Sequence, residues 1–124
     1  MAAESTLYAM LSAHAGLAAL VGSGDAARIY PDALPEGCDY PAVAITADSL
    51  PEYGIDNTYF GAMVTFTIAV WADTRTAATA AAKQCVASLV ENGWPNSSIS
   101  ESFDPDFGAY AATISTTVFE PPPA

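Results

Sequence analysis

Positive charge is nearly missing from this 124-residue chain: Arg28, Arg75 and Lys83 stand against 14 acidic residues, for a formal net charge of -11. A protein that grips a nucleic-acid backbone needs a basic stripe to displace counterions from phosphates, so this balance excludes tight phosphate contact. Histidine is reduced to His14, and cysteine to Cys38 and Cys85. Zinc wants clustered nitrogen and sulfur ligands, which three scattered residues cannot supply. A chain of this length buries enough apolar surface to fold without staples, so both cysteines are read as free thiols in a reducing compartment. Apolar runs stay short of the roughly 18 residues that span a bilayer, and MAAESTLYAM lacks the basic and then apolar pattern of a secretion signal. Neither membrane insertion nor secretion is expected.

Catalytic constellations are missing too. Nucleophilic catalysis needs a base beside the nucleophile, yet His14 falls among Leu7, Met10, Leu11 and Leu17, where a packed structural histidine is expected. Asp104 and Asp106 resemble a carboxylate pair, and Asp25, Asp32, Glu36 and Asp39 crowd one connection. The alternating ligands and terminal glutamate of a calcium loop do not appear, so these read as solvated turn residues. Gly22-Ser23-Gly24 follows a helix instead of opening one, which makes it a helix stop and not a phosphate cradle. No catalytic, cofactor-binding or metal-ligating residue is assigned, and no enzyme activity or cofactor is expected.

What the chain does contain is clear periodicity. Leu7, Met10, Leu11, Leu17, Leu20 and Val21 recur at helical spacing and predict one amphipathic helix from Thr6 to Val21. Arg28-Ile29-Tyr30-Pro31 is a short extended piece, followed by a turn-rich connection through Pro31, Pro35 and Gly37. Pro41 opens a strand over Ala42 to Ala47. Ala62 to Ala72 is the clearest strand, with Val64, Phe66, Ile68 and Val70 on one face and Met63, Thr65, Thr67 and Trp71 on the other. Asp73, with Thr74 competing, caps a helix running to about Glu91, whose inner face reads Ala78, Ala81, Cys85 and Leu89. Asn92-Gly93 ends it. Two alternating segments around Asp104-Pro105-Asp106-Phe107-Gly108 then form a closing β-hairpin that ends near Phe119.

This order predicts a single α+β domain over residues 1–124: a mainly antiparallel β-sheet with two α-helices packed on one face, in the order α-β-β-β-α-β-β. Residues 1–5 and 120–124 read as flexible ends or arms, the latter because three prolines cannot continue a strand.

One segment stands apart. Ser49 to Gly61 mixes turn formers with Tyr53, Ile55, Tyr59 and Phe60, turn-like in backbone signals yet sticky in side chains. It reads either as a partner-binding loop, with those four residues as the candidate interface, or as a hairpin arm whose aromatics fold back on its own sheet. The half-polar face carrying Thr67 and Trp71 offers a remote alternative, a small-ligand pocket.

Two stretches, LYAMLSAHAGLAALVGSGDAARIYPDALPEGCDYPAVAI and PEYGIDNTYFGAMVTFTIAVWADTRTAATAAAKQCVASL, resemble the tail-completion or tail-terminator proteins of long-tailed bacteriophages. The likeness runs from about Leu7 to Leu89. It rests on an ordered set: a leucine-rich helix, Arg28-Ile29-Tyr30-Pro31, Leu34-Pro35, Pro41-Ala42-Val43, and a strand ending Val70-Trp71-Ala72 before an Ala-rich helix. The resemblance implies a structural virion protein, a homo-hexameric ring capping the head-proximal end of the tail tube and joining tail to head. Its implied partners are the tail tube protein and a neck or connector protein, with DNA passing through the ring without sequence-specific binding. The implied place is the virion's tail-neck junction, after assembly in the bacterial host cytoplasm. A neck adaptor or a tail-tube-like subunit is the alternative on the same fold.

Overall fold

The computed structural model describes residues 2–22, 27–35, 37–53, 59–106 and 108–121. Its elements run α1 (Ala2–Ala13), α2 (Ala15–Val21), β1 (Ile29–Pro31), β2 (Ala42–Tyr53), β3 (Tyr59–Ala72), α3 (Arg75–Glu91), β4 (Ser100–Asp104) and β5 (Ala109–Glu120). The five strands form one sheet in the order β1-β2-β3-β5-β4, antiparallel except for the parallel pairing of β1 with β2. The α+β class and the antiparallel sheet with helices on one face agree with the sequence reading. Three helices replace the expected two.

The extra helix comes from a break at His14. Hydrophobic spacing runs in phase straight through this point, but His14 is extended (φ -75, ψ 115). Its ring turns to α3, where Nε2 lies 3.0 Å from Gln84 Oε1 and Nδ1 lies 3.3 Å from Glu91 Oε2. Gly16 supports the approach, because a Cβ there would run into the Gln84 side chain. The backbone at the break stays satisfied: His14 N–H reaches Leu11 O, and Ala18 N–H reaches His14 O. Contacts to α3 thus outweigh the small cost of interrupting a helix whose local sequence would continue it. The expected structural role of His14 holds, with its side chain 11% exposed.

Residues 2–5, a free end on the sequence reading, form the first turn of α1. Ala3 N–H donates to Glu120 Oε1 at 3.0 Å, so the last residue of β5 places a carboxylate at a helix N-terminus, where the helix dipole favours it. The other end of the helical layer closes through Arg28. Its Nε donates to Pro41 O and its NH2 group to Leu20 O, each at 2.9 Å, joining the end of α2 to the entry of β2. Arg28 N–H also reaches Val21 O, and Val43 N–H reaches Arg28 O. The Arg28-Ile29-Tyr30-Pro31 pattern is therefore a structural clamp, which accounts for one of the chain's three cations.

The core lies between the helices and one sheet face. Leu7 and Leu11 of α1, Leu17 and Val21 of α2, and Ala78, Ala81, Cys85 and Leu89 of α3 are all essentially buried against Val64, Phe66, Ile68 and Val70 of β3 and Ala112 and Ile114 of β5. Both faces of β3 and the inner face of α3 match their sequence reading. Small side chains let α3 lie close to the sheet, and Phe66 fills the resulting space, its ring 6.1 Å from Trp94. At the start of α3 the cap is Thr74, not Asp73: the Thr74 hydroxyl accepts from Ala77 N–H at 3.2 Å. The choice is settled by backbone, since Thr74 takes the extended cap conformation (φ -127, ψ 153).

Two further readings hold at the turns. Gly22 ends α2 with φ 90, and Asp106 N–H donates to Asp104 Oδ1 at 2.9 Å, a turn bond in the closing hairpin. Asp25 and Glu36, from the acidic connection, lie outside the described residues. Among the described residues, no group of three or more His, Cys, Asp or Glu side chains is placed to hold a metal.

Candidate interaction surface

The segment from Ser49 to Gly61 is mostly strand. Period-2 patterning carries β2 past Ala47 to Tyr53, and β3 starts at Tyr59, so the two form a long hairpin arm with a bulge between Glu52 and Tyr53. The loop reading is thereby corrected to a hairpin. Pro51 misleads because it signals a turn, yet it sits in a stretch of β2 that β1 does not cover, and an edge strand tolerates a missing donor.

Burial divides β2 sharply. Ala42 to Ile45 are buried, whereas every residue from Thr46 to Pro51 is exposed. From Thr46 onward β2 itself is uncovered, although β3 beside it stays buried in the core as far as Ala62. Of the four candidate interface residues, Tyr53 ends β2 with 57% of its surface exposed. Tyr59 is its cross-strand partner at the start of β3, followed by Phe60. Ile55 lies outside the described residues.

Sequence reasoning missed Leu50 and Phe119. The register aligns Leu50 with Met63, and Met63 with Phe119, forming an apolar row across three strands on the face away from the helices. Leu50 is 65% exposed and Phe119 47%. The row also explains Gly61: its φ of +142 suits glycine, and a Cβ there would run into the Phe119 ring and the Glu120 carbonyl oxygen. Extending the alternation of Ala42 to Ala47 three residues further is the signal that would have placed Leu50 on this face.

Beyond that row the outer face is uncharged at its centre. Alternation puts Thr65, Thr67 and Ala69 of β3 beside Thr113, Ser115 and Thr117 of β5, with the Thr65 and Thr117 hydroxyls 3.0 Å apart. Acidic residues keep to its margins, at Asp48 and Glu52 on β2 and Asp104 on β4. In a chain of net charge -11, this is where another acidic protein can approach with least repulsion.

Thr67 and Trp71 do line a cavity, of about 230 Å³, with Ala44, Thr46 and Ala69 of the sheet and Asp32 to Leu34 of the following connection. Asp32 is its one ionisable lining residue among those described. The buried Cys85 offers no nucleophile either, because burial pushes its thiol up to about 12, far from the thiolate form at neutral pH. Both cysteines are free thiols.

Comparison with known proteins agrees with this architecture. A chain from the structure of the virion of a native gene transfer agent particle superposes with a TM-score of 0.73 at 23% identity, covering 94% of this chain and 92% of that one, which establishes the shared fold. No curated protein matches. The family model of tail completion protein gp17 matches residues 5–112, most of the chain and more than the Leu7 to Leu89 resemblance reaches. This chain therefore belongs to the tail completion protein gp17 family.

Proposed function

We propose that this structural component of a phage tail closes into a homo-hexameric ring that caps the head-proximal end of the tail tube and joins it to the neck. Membership in the tail completion family supports the tail role, and the exposed half of β2, with Leu50 and Tyr53 on it, is the observation that carries the capping role. A cap works by contact geometry: one face stacks on the last tube ring, another meets the neck protein, and the subunits close head to tail. Leu50 and Tyr53, exposed on β2, supply anchors, and Ile55, Tyr59 and Phe60 are assigned to the same interface from the sequence, since tyrosine is enriched among the residues that carry interface energy. The ring encircles the DNA path without gripping it. Arg28 is used internally and Arg75 is held by Glu101 at 3.2 Å, which leaves Lys83 on α3 as the third of three cations, too few for a basic lining that competes for phosphate. The ring takes its place in the virion at the tail-neck junction, after assembly in the host cytoplasm.

The test adds purified protein to isolated tail tubes and scores capped ends by electron microscopy. Wild type caps the tubes, and Tyr53→Ala with Tyr59→Ala abolishes capping while leaving thermal unfolding in place. Unchanged capping by the double variant contradicts the arm's role.

A further inference from the structure

The sheet face away from the helices is dented at one place, and the register shows why. Ala44 of β2 lies directly opposite Ala69 of β3, between the pair Ala42 and Trp71 on one side and the pair Thr46 and Thr67 on the other. Two methyl groups side by side leave a hollow between a large indole and two hydroxyl-bearing side chains. The connection from Asp32 to Leu34 completes the wall, and the cavity so formed holds about 230 Å³, room for one long side chain.

Its lining is apolar apart from the two threonines and Asp32. Asp32 takes a left-handed backbone conformation (φ 64), and its N–H donates to Ile45 O at 2.8 Å, which ties this part of the wall to β2. Among the described residues no cation pairs with its carboxylate. The site therefore combines a flat aromatic surface, a small apolar floor, two hydroxyl acceptors and an uncompensated negative charge.

These features select among occupants. A phosphate or an acidic side chain is repelled by Asp32 in a chain already at -11. An aliphatic side chain fills the hollow but takes water from the carboxylate without replacing its hydrogen bonds. Lysine brings a charge without a plane. Arginine lays its stem along Ala44 and Ala69, stacks its guanidinium on the Trp71 ring, and has donors enough for the carboxylate and the threonine hydroxyls. A second copy of this chain is a poor source: Arg28 is bonded to the Pro41 and Leu20 carbonyls, Arg75 is held by Glu101, and Lys83 has no guanidinium.

From this geometry we propose that the hollow is a socket for one arginine side chain presented by a different virion protein, with Asp32 as its charge partner and Trp71 as its stacking surface. The inference rests on the reading of this chain as a tail component that docks to other proteins, and it names the chemistry of one such contact.

N-acetyl-arginine methylamide, titrated into the protein and followed through the two indole N–H resonances by NMR, tests it. Trp94, packed on Phe66 among the core residues, is the internal reference. The Trp71 signal moves saturably, in the millimolar range that a single side chain reaches, and the Trp94 signal stays. The citrulline analogue, equal in shape and without the charge, binds about tenfold more weakly. Asp32→Asn weakens arginine binding by about the same factor, and asparagine suits the left-handed backbone, so the fold is kept. Ala69→Leu fills the hollow with Asp32 in place and abolishes binding; thermal unfolding confirms that each variant is folded, and the citrulline comparison needs no variant at all. A Trp71 signal that does not move, or arginine and citrulline binding alike, overturns the socket. Capping of tail tubes by the same wild-type sample separates the two readings: capping without arginine binding overturns the socket alone, and arginine binding without capping overturns the capping role alone.

Discussion

The two halves of β2 are built on one backbone and serve opposite ends. From Val43 to Ile45 the strand is paired on both sides; Val43 and Ile45 are buried in the core beneath the helices, and Ala42 and Ala44 are buried on the opposite face. From Thr46 onward it keeps only β3 as a partner and is exposed. Burial of apolar area lies in the first half, while the second half leaves Leu50 and Tyr53 exposed on the surface proposed for assembly. A strand whose cover ends partway thus holds core residues and the residues of the proposed interface on one backbone.

Variants can break this division. The largest effect belongs to the covered half: Phe66→Ala removes the largest fully buried side chain and is expected to cost about 3–5 kcal/mol in chemical denaturation. Gly61→Ala attacks the point where the arm meets β5, forcing a Cβ against Phe119 and the Glu120 carbonyl; about 1–3 kcal/mol is expected, read by the same titration. Thr74→Ala removes the cap of α3 and costs about 1 kcal/mol, whereas Asp73→Ala stays within about 0.5 kcal/mol, a contrast that thermal unfolding resolves. Leu50→Ser sharpens the comparison from the exposed side: stability moves by less than about 0.5 kcal/mol while tube capping falls, because the side chain is 65% exposed and its proposed partner is another protein.

The sequence was most readable where one period dominates. In β3, Val64, Phe66, Ile68 and Val70 alternate without interruption, and in α3 the small residues from Ala77 to Ala82 repeat on helical spacing, so both elements and their inner faces were legible. Non-local events hid the rest. The break at His14 depends on Gln84 and Glu91, some 70 positions away, and nothing in AHAGLAAL announces it. The length of β2 was concealed by Pro51, whose turn signal carries no information about whether its missing donor faces an edge. Thr74 displaced Asp73 through a one-residue difference in where the chain leaves extended backbone, a choice that either side chain suits. For the interface, Tyr53 was legible as an aromatic in a polar stretch. Leu50 and Phe119 were not, because only the three-strand register brings them into one row.

The central claim is that this chain assembles with copies of itself at the end of a tail tube, and native mass tests it most directly. Light scattering across a concentration series, with and without isolated tubes, should give six times the subunit mass, or a single subunit that becomes six when tubes are added. A single-subunit mass at every concentration, unaffected by tubes, would contradict it.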